Sequence, residues 1–229
     1  MGEWAKRDGM TIWWYGKNGN MPKGDRIFEA CDVVAGAGGL DFTCRSGASQ
    51  VKVHTSVVGA HQVSNILAAI AAAVAAGISF GDAAKAASLV EPVHKVLERM
   101  SGIHGLTLID DTFNNNPDAA IAALDVLAMA KGKRVLIFQP MIELGTYANS
   151  AHKKVGAYAA KICDAIVLTN SNWSEDFISG VRSVSDTVPV SVLSGEKAAK
   201  YIQTVAVGKD TILGKGKEAA RVLIHLQKI

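Results

Sequence analysis

From residue 106 onward the sequence alternates at a steady interval between short apolar runs and longer stretches with helical spacing. The apolar runs cover residues 106–109, 134–138, 165–169, 189–193 and 211–213. The helical stretches cover 117–130, 147–161, 175–182, 196–205 and 217–228. In the first of these, Ile121, Leu124 and Leu127 recur every three residues, a single buried stripe. Strands joined by helical crossovers pair in parallel, so the pattern leaves one broad outcome: a parallel sheet with helices on both faces. The fold class is therefore α/β, with a Rossmann-like, parallel-dominated sheet in the C-terminal part.

The region before it differs. Residues 10–15 carry Thr, Ile, two Trp and Tyr, a strand composition. Residues 40–44 and 51–55 alternate apolar and polar, and Gly47 between them predicts a hairpin. The Gly-rich stretch 36–39 reads as a loop; it matches neither GxGxxG nor the GxxxxGK(S/T) phosphate loop. Two helices follow, one over 62–76 stopped by Gly77, the other starting near Gly81 and Asp82. A boundary at Glu91-Pro92 divides the chain into residues 1–92, an α/β region with a β-rich start, and residues 93–229.

Charge and cysteine use exclude several functions. There are 24 basic and 21 acidic residues, a net charge of +3 with the signs mixed, which argues against a nucleic-acid partner. The three cysteines form no CxxC pair and the six histidines show no HExxH spacing. No metal site or disulfide is expected, and a reducing, cytoplasmic setting follows. Residues 1–8 are polar from the start, unlike a secretory signal. The apolar run 66–80 is too short to span a bilayer, so no membrane partner is expected.

Ligands of open α/β sheets bind outside the carboxyl ends of the strands, and five polar clusters compete for that role. The first is Asp110-Asp111-Thr112-Phe113-Asn114-Asn115-Asn116, directly after an apolar run. Asn116 with Pro117 also fits a helix N-cap followed by its first residue. The second, residues 59–65 with His61 and Asn65, opens a helix and could meet an anion or a nucleobase. The third, residues 139–145, contains Glu143 as its one ionisable group. The fourth, residues 169–176, includes Asn172 and Trp173; Asn172 with Glu175 also fits a capping box. The fifth, residues 213–219, places Lys215 on a Gly-rich turn where it could reach a phosphate or carboxylate. It matches GxGxxA, but too little chain follows for the second strand and acidic residue of a dinucleotide site.

Taken in order, these clusters resemble the Mur ligase family of ATP-dependent amide ligases. The motifs are a GxHNxxNALAA-like helix start at 59–69, an IDDxYNANPDS-like strand end at 109–119, a DMxELG-like loop at 140–145 followed by HxxVG at 152–156, and a Lys/Gly turn at 214–218. The resemblance runs from about residue 10 to the end and is strongest to the type that adds D-alanyl-D-alanine to UDP-N-acetylmuramoyl-tripeptide. The turn at 213–218 and the segment 168–176 also resemble the type that adds the third stem residue.

The resemblance implies residue roles. His61 and Asn65 would face the adenine and Asp111 the ribose hydroxyls, with Asn114 near the phosphates. Lys95 would stand in for the family's nucleotide-binding arginine, whose position Val96 takes. Asn115, Asn116, Glu143, Asn172, Lys215 and Glu218 would lie on the side of the amino acid or dipeptide. The implied partners are ATP or ADP, a UDP-N-acetylmuramoyl-peptide, and an amino acid or dipeptide, with Mg2+ as the accompanying ion of the complete enzyme. The family's reaction runs through an acyl phosphate. Gln62 replaces an Asn after His61, and Pro140 replaces an Asp before Met141. No GxxGK(S/T) occurs, so this stretch alone is expected to be inactive, completed by an N-terminal region or a second chain. The competing reading is a non-catalytic nucleotide- or precursor-binding module on the same fold.

Overall fold

The computed structural model describes residues 10–17, 22–36 and 38–227. The polar opening at 1–8, Ala37 in the Gly-rich loop and Lys228 lie outside them. The chain divides into two compact units, Met1–Pro92 and Val93–Ile229.

In the first unit, strands β1 (Trp13–Lys17), β2 (Arg26–Gly36), β3 (Gly39–Ser46) and β4 (Ser49–Thr55) form one sheet in that order. β1 and β2 are parallel and the other pairs antiparallel. The hairpin expected around Gly47 joins β3 to β4. β2 is the longest strand and has no counterpart in the sequence reading. Its register shifts between Cys31 and Val34, where Asp32 takes φ 53, and such a bulge breaks the period of two on which strand recognition rests. Helix α1 (Gln62–Ala75) ends in a Schellman turn, with Gly77 N–H donating to the Val74 carbonyl and Ile78 N–H to that of Ala73. Ser79 caps α2 (Phe80–Ala86) by accepting from Asp82 N–H. Phe28, Leu40, Phe42 and Val53 of the sheet pack against Val63, Leu67 and Ile70 of α1 and Ala83 and Ala84 of α2.

The second unit is built from β5 (Glu98–Ser101), β6 (Thr107–Asp111), α3 (Pro117–Ala128), β7 (Arg134–Phe138), α4 (Ala148–Ala159), β8 (Ala165–Leu168), α5 (Ser174–Arg182), β9 (Val190–Val192), α6 (Gly195–Val205), β10 (Thr211–Lys215) and α7 (Lys217–Ile224). The strand order is β5-β6-β10-β7-β8-β9. All neighbours are parallel except β5, which runs antiparallel to β6 along the edge. β5 escapes sequence reading because Glu98-Arg99-Met100-Ser101 offers one apolar residue. The sheet's fully buried strands carry continuous apolar runs, as a sheet covered on both faces requires. One face packs Leu108, Val135, Ile137, Val167 and Ile212 against Ala199 and Ile202 of α6 and Val222 and Leu223 of α7. On the α4–α5 side Phe138 and Phe177 meet with ring centroids 5.1 Å apart. There α4 and α5 cross backbone to backbone: a Cβ on Gly156 would overlap the Phe177 carbonyl, and one on Gly180 the Lys153 carbonyl. The last helix is shorter than expected, ending at Ile224, after which Gln227 bridges to Gly102. No helix among the described residues is long and apolar enough to cross a membrane.

Candidate functional site

The site lies in the second unit, where β6, β7, β8 and β10 deliver their carboxyl ends. In the parallel register Lys215 stands opposite both Asp111 on β6 and Phe138 on β7, so the three side chains share one face. Lys215 Nζ lies 2.6 Å from Asp111 Oδ2 and donates to the Asn114 carbonyl at 2.9 Å. Only 3% and 9% of the two side chains are exposed. The second oxygen of Asp111 accepts from Leu97 N–H at 3.3 Å. Asp110, on the opposite face, is bound by Thr112 N–H at 3.0 Å and the Thr112 hydroxyl at 2.6 Å, which fixes the bend out of β6.

Three asparagines follow with three environments. Asn114 Oδ1 accepts from Asn115 N–H at 2.8 Å. Asn115 donates through Nδ2 to the Gln139 carbonyl at 2.7 Å, while its Oδ1 is buried with no hydrogen-bond partner. Asn116 is the N-cap of α3, accepting from Ala119 N–H at 2.9 Å, with Pro117 at the first helical position. Its side chain is thus spent on the helix start, the structural role that its spacing also offered.

Gln139 joins the loops. Its N–H donates to the Lys215 carbonyl, its carbonyl accepts from Asn115, and its Oε1 accepts from Glu218 N–H at 2.8 Å. The Glu218 carboxylate in turn accepts from the Thr169 hydroxyl and from Asn170 Nδ2, both at 2.7 Å. Gln139, Thr169 and Asn170 open the third and fourth polar clusters, each a polar residue directly after a buried strand, but the sequence alone assigns them no individual role. A cleft of about 190 Å³ opens among Phe113, Asn115, Met141, Glu143, Gly216 and Lys217. Glu143 sits on its rim with φ 62.

Lys95 lies beside the end of β6, but through its main chain: its N–H donates to Glu98 at 2.9 Å and its carbonyl accepts from Phe113 N–H. That Lys95 N–H, joined by the nearby His94, holds the Glu98 carboxyl below the usual range. Asn172 does not cap α5. Asn172 N–H donates to Asn170 Oδ1 at 2.9 Å, the N-cap position belongs to Trp173 at φ 54, and the helix starts at Ser174. The capping box of Asn172 with Glu175 is therefore not formed, because the left-handed Trp173 turns the chain one residue later. His61 and Asn65 belong to the first unit, at the start of α1, where Asn65 donates to Gln62 Oε1 at 2.8 Å. Among the described residues no group of three or more His, Cys, Asp or Glu side chains could hold a metal ion.

A parallel sheet whose strand ends gather a buried lysine–carboxylate pair, three amides and a polar cleft makes this an α/β domain with a candidate ligand site at its strand ends. The family model for the Mur ligase glutamate ligase domain matches residues 97–218. The UDP-N-acetylmuramoyl-tripeptide–D-alanyl-D-alanine ligase of Mycobacterium tuberculosis H37Rv is 34% identical over 218 residues, covering 82% of this chain and 42% of that protein. The ligase of the same name from Escherichia coli K12 is 32% identical over 133 residues, covering 58% and 29%. MurF from Acinetobacter baumannii superposes with a TM-score of 0.77 at 23% identity, over 92% of this chain and 45% of that one. MurF ligase from Thermotoga maritima in complex with ADP superposes at 0.73 with 21% identity, over 92% and 47%. The chain belongs to the Mur ligase family. It spans less than half the length of these relatives.

Proposed function

We propose that this chain supplies the adenine-side helix start and the acceptor domain of a cytoplasmic ATP-dependent peptide ligase of peptidoglycan synthesis. It would join an amino acid or dipeptide, D-alanyl-D-alanine by the names of the relatives above, to a UDP-N-acetylmuramoyl-peptide. Residues 1–92 correspond in this reading to the end of the central, ATP-binding domain, and residues 93–229 to the C-terminal domain. The observation that carries it is the cleft wall: a buried, unpartnered Asn115 Oδ1 beside Gly216, where a Cβ would press on Gln139. A buried acceptor left unpaired costs about 1–3 kcal/mol, which a ligand donor such as an ammonium would recover.

His61 and Asn65 are assigned to the adenine, and Lys95, Asp111 and Asn114 to the nucleotide side of the strand ends. A ribose hydroxyl reaching Asp111 would share the oxygen whose partner is Leu97 N–H at 3.3 Å. Asn115, Glu143 and Lys217 line the space for a zwitterionic amine; the family resemblance assigns Glu218, Lys215, Asn116 and Asn172 to the same side of the reaction. In the reaction, a substrate carboxylate oxygen bonds to the γ-phosphorus and ADP leaves. The amine then attacks the acyl carbon and phosphate leaves. Neutralising the phosphates needs a P-loop lysine and Mg2+. This sequence contains no P-loop and the described residues offer no metal cluster, so those groups would come from outside it and the chain alone is inactive.

Calorimetric titration tests this. ADP and D-alanyl-D-alanine should each bind the chain weakly, and Asn65→Ala, on an exposed helix position, should lower ADP affinity about twofold to tenfold. An unchanged affinity removes Asn65 from the adenine, and no heat with either ligand sinks the reading.

A further inference from the structure

His152 on α4 is wholly buried. Its Nε2 lies 2.8 Å from Met141 N–H, in the loop that walls the cleft, and its Nδ1 lies 2.7 Å from the Ala148 carbonyl. A carbonyl only accepts and an amide N–H only donates, so the two partners select one form: neutral, with the proton on Nδ1. The other face of the ring stacks on Trp173, centroids 5.8 Å apart and planes 17° from parallel. Trp173 belongs to the loop whose first residues, Thr169 and Asn170, hold Glu218. The imidazole therefore touches both loops that frame the strand ends.

The backbone around it carries strain on each side. Glu143, two residues after Met141, has φ 62, and Trp173 has φ 54. Non-glycine residues keep such angles only where the surroundings over-determine them. Pro140 and Met141 are buried while Ile142 and Glu143 emerge into solvent. The Met141–His152 bond is thus the last tether before the chain turns left-handed into the cleft.

We propose that His152 is a positioning residue of the cleft: as a neutral Nδ1–H imidazole it pins the Met141 main chain and so sets where Glu143 stands. The assignment of Glu143 to a ligand rests on the function proposed above; the tether does not. Protonation at Nε2 would set two N–H groups against each other and release the loop. Burial holds the imidazole below its usual 6.5, opposed by the Ala148 carbonyl and by the Asp176 carboxylate on α5, itself bound by Asn149. The tether consequently survives at a pH where a solvated imidazole is half protonated.

The experiment combines nitrogen NMR of the ring, amide exchange and calorimetry on the whole chain. The ring should show the neutral Nδ1–H form and titrate with a midpoint below 6.5. The Nε2–H form, or a midpoint at or above that value, overturns the proposal. In His152→Ala the Met141 amide should exchange about five- to tenfold faster, with Leu136 and Ile137 in β7 unchanged. In His152→Gln, whose Oε1 can take the place of Nε2, most of that protection should return. Equal acceleration along β7 would mean a purely structural role, and an unmoved Met141 amide would mean no tether. With D-alanyl-D-alanine as probe, His152→Ala should bind more weakly and His152→Gln recover affinity. Equal binding despite a released loop overturns the positioning role. Absence of binding to the wild type overturns the ligand reading instead, while the ring and exchange measurements still decide the tether.

Discussion

Replacing Lys215 by methionine is the sharpest perturbation the strand ends offer. The lysine keeps its volume and loses its charge, stranding Asp111 in a site where 9% of its side chain reaches solvent. The carboxylate would retain one donor, Leu97 N–H at 3.3 Å, and the Asn114 carbonyl would lose its lysine. Breaking one side of a buried pair costs about 3–5 kcal/mol, a large share of the roughly 5–15 kcal/mol that holds a domain folded. Asp111→Asn should fall near the low end of that range, because the amide oxygen still accepts and Lys215 keeps the Asn114 carbonyl. Replacing both, Lys215→Met with Asp111→Leu, removes two desolvated charges together and should cost far less than the sum, since apolar substitutes for a buried pair are often neutral. Amide exchange at Ile212 and Leu213, in the middle of β10, reads the second unit without interference from the first. At about 1.4 kcal/mol per tenfold, Lys215→Met should speed their exchange by about two to three and a half powers of ten. Single variants within about 0.5 kcal/mol of wild type, the range of ordinary surface changes, would show that water screens the pair. Additive losses in the double variant would show that the two groups are not coupled.

Three further outcomes follow from the geometry. Gly180→Ala pushes a methyl group into the Lys153 carbonyl at the α4–α5 crossing and should cost about 1–3 kcal/mol, read by urea unfolding followed at Trp173; a neutral effect would mean the helices separate freely. Glu98 has a folded pKa lowered chiefly by Lys95 N–H, so its stabilising share is complete above its usual 4.5 and is lost as pH falls through the folded value; Glu98→Gln should flatten that acid limb of the unfolding profile. Burial raises the Cys44 thiol to about 11 and the Cys163 thiol to about 12, so iodoacetamide near pH 8 should modify both only on unfolding, with Cys31 reacting first; native labelling of Cys163 would contradict its burial.

Much of the second unit is legible in sequence because each strand is a continuous apolar run and each helix a striped one. The expected strands at 134–138 and 165–169 match Arg134–Phe138 and Ala165–Leu168 to within a residue. Where reading fails, the backbone departs from a repeating period. The bulge at Asp32 hides β2, and the left-handed Trp173 moves the start of α5 past Asn172. The polar β5 carries too little apolar signal to register. His152 fails differently: a lone histidine on a helix looks the same whether it faces water or pins a loop, and only its two hydrogen-bond partners distinguish the cases.

The pairing of Asp111 with Lys215 marks the deeper limit. The residues are 104 positions apart, and motif reasoning sets them at opposite ends of the reaction, one by the ribose and one by the incoming amine. What brings them together is strand order: β10 inserts between β6 and β7, and the register then places Lys215 directly beside Asp111. Nothing local encodes that insertion. With Lys215 neutralised by Asp111, the cation presented to the cleft is Lys217, exposed one residue beyond Gly216. A ligand carboxylate entering the cleft should therefore be steered by Lys217, while Lys215 holds the loop through Asn114. Lys217→Ala should weaken ligand binding without loss of stability, and Lys215→Met should do the reverse first, unfolding the strand ends before any ligand is tested. Equal effects of the two substitutions on stability would refute that division.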